Sequence, residues 1–479
     1  MLRTLRGKHH SPSIPGLAGT FQVLRLLLTT ALVATSTLGC AAFTKSFDTP
    51  PASTSATDVQ RVSRPALARP EGLAILQGLT NTHATQISIV VPFDKSLRVQ
   101  FSDLTTMKPL TDVVEIQHSI PNSRTSVRQF LIRRLNPKNT YQLTVLEENG
   151  REIDSRRFRS LDISRKTVTF AAASCMSDYF LEHQSGMWSS LRESKPDFLI
   201  LLGDNNYAAI INSVNRGPLP LPTLWERYAE SALKLDLYHF PELLPTVAIW
   251  DDFDYGMKDG GVNHPYGRES KKAFEAYFAQ NKTSDYPEYE KGPGIAAVWK
   301  SFGLEFYLLD NRTFRTDATH FGDEQEAWIM NRLSQSQNPS WLVSGDQWFG
   351  GYHRFESYEG NHKESFRDFL ASVKKTKAHV LFLSGDRHLS EVMKIEPELL
   401  GYETYEFTSS PMHAKTYPSN WDTIPNRRHW MGVAQQLNFK IFEVQSPLKG
   451  ERRLKARAVG LDKKVFYEAE IPLRKRASK

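Results

Sequence analysis

Between Phe198 and Leu202 the chain reads Phe-Leu-Ile-Leu-Leu without a polar interruption, then stops at Gly203-Asp204. An apolar run this short, bounded by Pro196 and Gly203, predicts a strand buried on both faces. The device recurs. Thr246–Trp250 delivers Asp251 and Asp252, Phe306–Leu309 delivers Asp310, Trp341–Ser344 delivers Gly345-Asp346, and Val380–Ser384 delivers Gly385-Asp386, while Thr167–Ala173 ends in Ser174-Cys175. From Lys166 onward such runs alternate with amphipathic segments. Thr223–Glu226 and Asp323–Glu326 read as capping boxes that open helices running to Leu237 and Leu333. Strand and helix in alternation predict an α/β domain with helices packed over a sheet. Near the end, Phe439–Val444, Arg453–Val459 and Val465–Ile471 return to period-two alternation and read as edge strands of the same domain.

The stretch from about Gly72 to Leu161 is different. Short alternating runs (Thr85–Val91, Leu97–Phe101, Val113–Ile116, Ser126–Ile132, Thr140–Val145) are separated by polar breaks, which predicts a small antiparallel sandwich. Leu135-Asn-Pro-Lys-Asn-Thr-Tyr-Gln-Leu-Thr-Val145 resembles the closing strands of immunoglobulin and fibronectin type III modules. Nothing in it carries chemistry, so a packing or spacer role is expected. Ahead of it, Ala41–Ala68 is rich in Ser, Thr, Pro and Ala and reads as a flexible tether. The expected division is an export signal at 1–39, a tether at 40–70, the all-β module at 71–164 and the α/β domain at 165–479.

Charge adds little. The net charge of +7 over 479 residues gathers at the two ends, and no basic stripe is interleaved with aromatics, which argues against nucleic-acid binding. Cysteine adds more, because there are two. Cys40 closes an apolar segment behind a basic leader, and Thr37-Leu-Gly-Cys40 resembles the lipobox of bacterial lipoproteins, so export and acylation at Cys40 are expected, with ordinary signal cleavage near Ala41-Ala42 as the alternative. Arg25 stands alone before the apolar core, which leaves the export route open. A tethered Cys40 leaves Cys175 without a disulfide partner and free to act as a ligand.

In open α/β sheets ligands bind at the carboxyl ends of strands. Carboxylates gathered there repel one another and call for a cation. Gly203-Asp204-Asn-Asn-Tyr207 offers a carboxylate and a phenol, and Gly385-Asp386-Arg-His388 a carboxylate and an imidazole. Carboxylates suit hard cations, imidazole and thiolate suit transition metals, and phenolate suits ferric iron, so the set favours a mixed or iron-containing centre.

Ser174-Cys175, Gly203-Asp-Asn-Asn-Tyr-Ala208, Trp250-Asp-Asp-Phe-Asp-Tyr-Gly256, Leu309-Asp-Asn-Arg-Thr-Phe-Arg315 and Ser384-Gly-Asp-Arg-His388 stand in the order seen in the alkaline phosphatase D (PhoD-like) family of metallophosphoesterases, which the chain resembles over most of its length. The resemblance implies a metallophosphatase-type β-sandwich core flanked by helices, preceded by a small immunoglobulin-like domain. It implies a phosphomonoesterase or phosphodiesterase with Fe3+ and Ca2+, and metal-activated hydroxide attacking phosphorus directly. It also implies Cys175, Asp204, Tyr207, Asp386 and His388 as iron ligands, Asp204 as a bridge and Asp252 on the second metal. Arg387, between two such ligands, is expected to clamp a phosphate oxygen, with pairing to ligand carboxylates as its alternative. The expected product is an exported, membrane-anchored enzyme of the cell envelope or periplasm, monomeric, acting on a phosphate-ester substrate.

Two positions depart from the family. Phe253 stands where His is usual, removing a proton donor to the leaving group, and Lys258 stands where an Asn amide oxygen is usual, which leaves the second site either served by an ammonium or degraded. Asp254, Asp259, His264, His353 and His413 are candidates to compensate. The same departures motivate a competing reading, a catalytically degenerate surface lipoprotein that binds an envelope polymer or partner. Kinase, serine-hydrolase and ordinary calcineurin-like readings lack their accompanying motifs.

Overall fold

The computed structural model describes residues 72–93, 95–211, 214–215, 217–353, 355–417, 425–445 and 452–474. The export segment, Cys40 and the tether lie outside the described residues. Among the described residues no helix is long and apolar enough to cross a membrane.

Two four-stranded antiparallel sheets form the first module. One runs Ala74–Thr80, Thr85–Pro92, Thr125–Ile132, Val113–His118, and the other Lys108–Pro109, Leu97–Asp103, Tyr141–Glu147, Glu152–Phe158. Ile87, Ile89, Phe130, Leu143, Val145 and Phe158 fill the space between them. The Tyr141 hydroxyl accepts from the Asn136 N–H at 2.6 Å and donates to the Asn136 carbonyl at 3.2 Å. That is the tyrosine corner of immunoglobulin-like folds. Alternation failed to reveal Ala74–Thr80 because that strand is buried on both faces. Ala74, Leu76, Val90 and Val127 join Trp225, Tyr228 and Tyr277 in one cluster, so the module's outer face packs on helices of the larger domain. Polar contacts fix the seam: Ser88 Oγ donates to the Tyr277 carbonyl and Gln129 Nε2 to those of Glu275 and Ala276, at 2.7 Å each.

The larger domain is a second sandwich. Its six-stranded sheet runs Thr246–Ile249, Phe198–Leu202, Thr167–Ala173, Phe439–Gln445, Arg452–Val459, Val465–Leu473. The first three are mutually parallel and the rest antiparallel. The facing eight-stranded sheet carries Leu304–Leu308, Ser340–Val343, Val380–Ser384 and Thr404–Thr408 in parallel at its centre. Phe170 lies at the heart of the layer between them, stacked on Phe442 and Phe198 at 4.7 and 5.1 Å and edge-on to Trp341 at 5.6 Å. Offset and edge-on pairs of this kind contribute about 0.5–1.5 kcal/mol each beyond their buried area. Helices Gln184–Glu193, Leu221–Lys234 and Gly267–Phe278 cover the six-stranded sheet, and Gly322–Gln335 and Lys363–Thr376 cover the other. This is the β-sandwich core flanked by helices that the sequence resemblance implies.

The two expected capping boxes do not form. Leu221–Lys234 starts from Pro220 without a side-chain cap, and Glu226 instead accepts from Ser123 Oγ and the Arg124 N–H at 2.8 Å each, tying the helix to the first module. Gly322–Gln335 starts from Phe321, and Glu326 accepts from the Tyr358 hydroxyl at 3.0 Å. Tertiary partners outbid the local ones.

Candidate metal centre

The parallel strand ends of both sheets open on the same side, and two glycines let them converge. Gly203 has φ +90°, and a Cβ there would fall 2.6 Å from Asp251 Cβ; a Cβ on Gly385 would fall 2.7 Å from Ser174 Oγ. Immediately beyond them the backbone turns left-handed at Cys175, Asp204, Asp386 and His388, with φ of 57°, 50°, 57° and 51°. Such a conformation costs a non-glycine residue about 1–2 kcal/mol and persists only where the surroundings over-determine it. Four such residues stand together at the ends of three strands.

Ligand atoms of Cys175, Asp204 and His388 lie within 4.8 Å of one another. Cys175 Sγ is 3.8 Å from Asp204 Oδ2, and the Tyr207 hydroxyl is 3.2 Å from His388 Nε2. Ser410, which the sequence reading did not single out, ties the two sheets at this point: its Oγ donates to Cys175 Sγ at 3.1 Å and accepts from the His388 N–H at 2.9 Å. His388 Nδ1 donates to the Lys415 carbonyl, which leaves the Nε2 lone pair facing inward.

The electrostatics are those of a cluster short of positive charge. Desolvation, then the charges of Asp204 and Asp386, push the Cys175 thiol well above its ordinary range. Desolvation, then Cys175, Asp204 and Asp386, do the same to Tyr207. Asp386 is pushed up to about 8 by desolvation, with Glu356 and Asp252 adding to it. Desolvation lowers His388 to about 4, so its imidazole is neutral at pH 7. Asp204 Oδ1 is buried without a hydrogen-bond partner.

Asp204, Asp251 and Asp252 form a second group within the same 4.8 Å, and Asp252, Asp259 and Glu356 a third. Here the protein supplies cations of its own. Arg312 holds Asp251 and grips Glu356 with two bonds of 2.9 and 3.0 Å, Arg315 also pairs with Glu356, and Lys258 Nζ lies 3.2 Å from Asp259. Among the described residues no lysine or arginine pairs with Asp204, Asp252 or Asp386. Glu356 has no apolar run before it, so strand-end reasoning could not find it.

Not every strand-end carboxylate belongs to the centre. Asp310 accepts from Trp250 Nε1, Thr313 Oγ1 and the N–H groups of Ile295, Arg312 and Thr313, which makes it a scaffold for the loop around it. Asp346 is taken up by His320, Ser344 and Asn311. Asp254 accepts from the N–H groups of Asn205, Asn206 and Asp251 at 3.0–3.2 Å, with Oδ2 reaching back over the start of the short helix Asp252–Tyr255, and so joins the loop carrying Asp204 to the loop carrying Asp252. Of the compensating histidines, His264 and His353 have both ring nitrogens engaged, and His413 Nε2 accepts from Trp188 Nε1 at 3.1 Å.

Phe253 stacks on Tyr207 with ring centroids 4.8 Å apart. Arg387 is buried, lies over the Phe355 ring at 4.7 Å, leaves Nε without a partner and forms no carboxylate pair among the described residues.

A family profile described as PhoD-like phosphatase matches residues 170–459. Among solved structures, one titled "Structure of PhoD" aligns at TM-score 0.61 and 15% identity, covering 85% of this chain and 92% of that one, which establishes a shared fold. Astrotactin-2, a vertebrate-specific perforin-like membrane protein, aligns at TM-score 0.15 and 10% identity over 26% of each chain. A cyclomaltodextrinase aligns at 0.17 and 10% identity over 65% of this chain and 60% of its own. Neither of these two supports an argument. No curated protein sequence matches. With the profile spanning more than half its residues, the chain belongs to the PhoD-like phosphatase family.

Proposed function

We propose that this phosphatase-family protein is a metal-dependent phosphoesterase acting on phosphate mono- or diesters outside the cytoplasm. In this reading Cys175, Asp204, Tyr207, Asp386 and His388 would hold a ferric ion, and Asp252, together with Asp204, would hold calcium. The observation that carries it is the largely buried convergence of the Cys175 thiol, the Asp204 carboxylate and the inward His388 imidazole, with the Tyr207 phenol beside them and, among the described residues, no lysine or arginine ion pair to Asp204, Asp252 or Asp386. Soft and aromatic donors suit ferric iron, and an all-oxygen set suits calcium.

Bound there, such ions lower the pKa of water and absorb charge on phosphoryl oxygens. The chain's own residues do the rest. Arg387, whose guanidinium forms no carboxylate pair among the described residues, would present it to a non-bridging phosphate oxygen. The Ser410 hydroxyl donates to the Cys175 sulfur and steadies it as a thiolate, and the Lys415 carbonyl fixes the His388 tautomer. Phe253 offers no proton, so the departing alkoxide takes one from solvent, which favours esters of acidic alcohols. The apolar segment ending at Cys40 supports export, with Cys40 acylated as a membrane anchor and the chain acting as a monomer.

A second reading, a surface lipoprotein that keeps the fold but binds an envelope polymer, is favoured by Phe253 in place of a proton donor. The test purifies the chain, measures bound iron and calcium, and assays p-nitrophenyl phosphate and bis-p-nitrophenyl phosphate across pH. Absence of metal and of turnover at every pH overturns the hydrolase reading, and a colourless protein that still binds envelope material supports the second.

A further inference from the structure

The segment Ala414–Tyr417 is fixed to the centre where Ala414 packs with Cys175 and Tyr207 and where the Lys415 carbonyl accepts from His388 Nδ1. Two residues later the Tyr417 ring leans against His388, centroids 5.5 Å apart and planes at 39°, while 42% of the residue stays open to solvent. The Lys415 ammonium lies 5.2 Å from the same ring. Desolvation raises the Tyr417 phenol, followed by the charges of Asp386 and Cys175, with Lys258 opposing them. Lys415 makes no ion pair among the described residues. An exposed aromatic is ordinarily a surface residue that needs no explanation. This one is held against an inward-facing histidine with the Lys415 ammonium at its ring, beside the candidate centre.

We infer that Tyr417 is the contact surface for a planar ring carried on the alcohol side of the phosphate ester, so that the substrate class is aryl or nucleoside phosphates rather than esters of open-chain alcohols. The inference rests on the phosphoesterase reading of the centre. Arg387 and the metal-type cluster engage the phosphoryl group, the ring one bond or one sugar away meets Tyr417, and Lys415 and Lys258 draw in the anion. Ring-on-ring contact is sequence-tolerant and strong enough to discriminate about tenfold.

The experiment measures competitive inhibition by two pairs of compounds on the full chain, Tyr417→Ala and Tyr417→Phe. One pair is phenylphosphonate and propylphosphonate, and the other thymidine 5′-phosphate and deoxyribose 5-phosphate. The ring-bearing member is expected to bind about tenfold tighter in the natural chain, the ratio falling to about twofold or less in Tyr417→Ala and persisting in Tyr417→Phe. Discrimination in the phosphonate pair alone assigns aryl esters; discrimination in both pairs includes nucleoside esters. Equal binding within both pairs, or a ratio that survives Tyr417→Ala, overturns the inference while leaving the hydrolase intact. A chain that binds none of the four and hydrolyses no ester overturns the phosphoesterase reading itself.

Discussion

The phenolic oxygen of Tyr207 and Nε2 of His388 lie 3.2 Å apart although 181 residues separate them in the chain. They arrive from facing sheets, Tyr207 beyond Phe198–Leu202 and His388 beyond Val380–Ser384. In the proposed reading the phenol and the inward imidazole lone pair are two donors for one ion. In the proposed reading ferric iron would take Tyr207 as phenolate, so the purified protein is expected to be coloured by a ligand-to-metal absorption in the visible region. Tyr207→Phe should abolish that band and weaken iron about 10- to 100-fold, read by the spectrum and by elemental analysis. A spectrum identical in Tyr207→Phe contradicts the assignment of the phenol.

Lys258 Nζ is half exposed and 3.2 Å from Asp259, whose backbone N–H donates to Asp252 at 2.9 Å. A unit charge about 5 Å from a cation site is worth about 3 kcal/mol at an effective dielectric of about 20, and exposure reduces it. Lys258→Asn is therefore expected to raise calcium affinity about tenfold, measured by titration calorimetry. Unchanged calcium binding would show that the ammonium does not govern the second position.

Asp254 belongs to none of the candidate metal groups, yet it accepts from the backbone of both ligand-bearing loops. Removing it frees those loops from each other. Asp254→Ala is expected to lower metal affinity about 10- to 100-fold, as loss of an outer-shell partner does, and to lower the melting temperature as well. Asp254→Asn, which can keep part of the hydrogen bonding, should recover part of both.

Glu326 is pushed up to about 7, first by burial, against a hydrogen bond from Tyr358 that lowers it. With a folded pKa above the ordinary carboxylate value, the folded state binds the proton more tightly. Stability from this group is present below about 4.5 and lost as pH rises through about 7. Glu326→Gln should leave the melting temperature nearly unchanged at pH 4.5 and raise it at pH 8.5. Thermal denaturation at the two pH values checks the sign.

Much of this was legible because the fold spends uninterrupted apolar runs on buried strands and places chemistry where each run stops. Cys175, Asp204, Asp252 and Asp386 were visible on that ground, and Tyr207 and His388 because they follow at short spacing. Asp310 and Asp346 end strands of the same kind and satisfy hydrogen bonds instead, since the pattern fixes where a carboxylate sits but not which partners the loops bring to it. Ser410 and Glu356 were hidden for the converse reason: Ser410 follows the strand Thr404–Thr408, whose buried Glu406 interrupts the apolar run, and Glu356 lies in a loop with no such run before it. The capping boxes misled because Glu226 and Glu326 found partners far along the chain.

The most direct test of the central claim is elemental analysis of the purified protein and its Asp204→Ala variant, with aryl phosphate turnover measured on both. Iron close to one equivalent per chain, lost together with activity in Asp204→Ala, is the result expected from a shared carboxylate at the heart of the cluster. An iron-free but folded natural chain, or a variant that keeps its iron and its turnover, would contradict it.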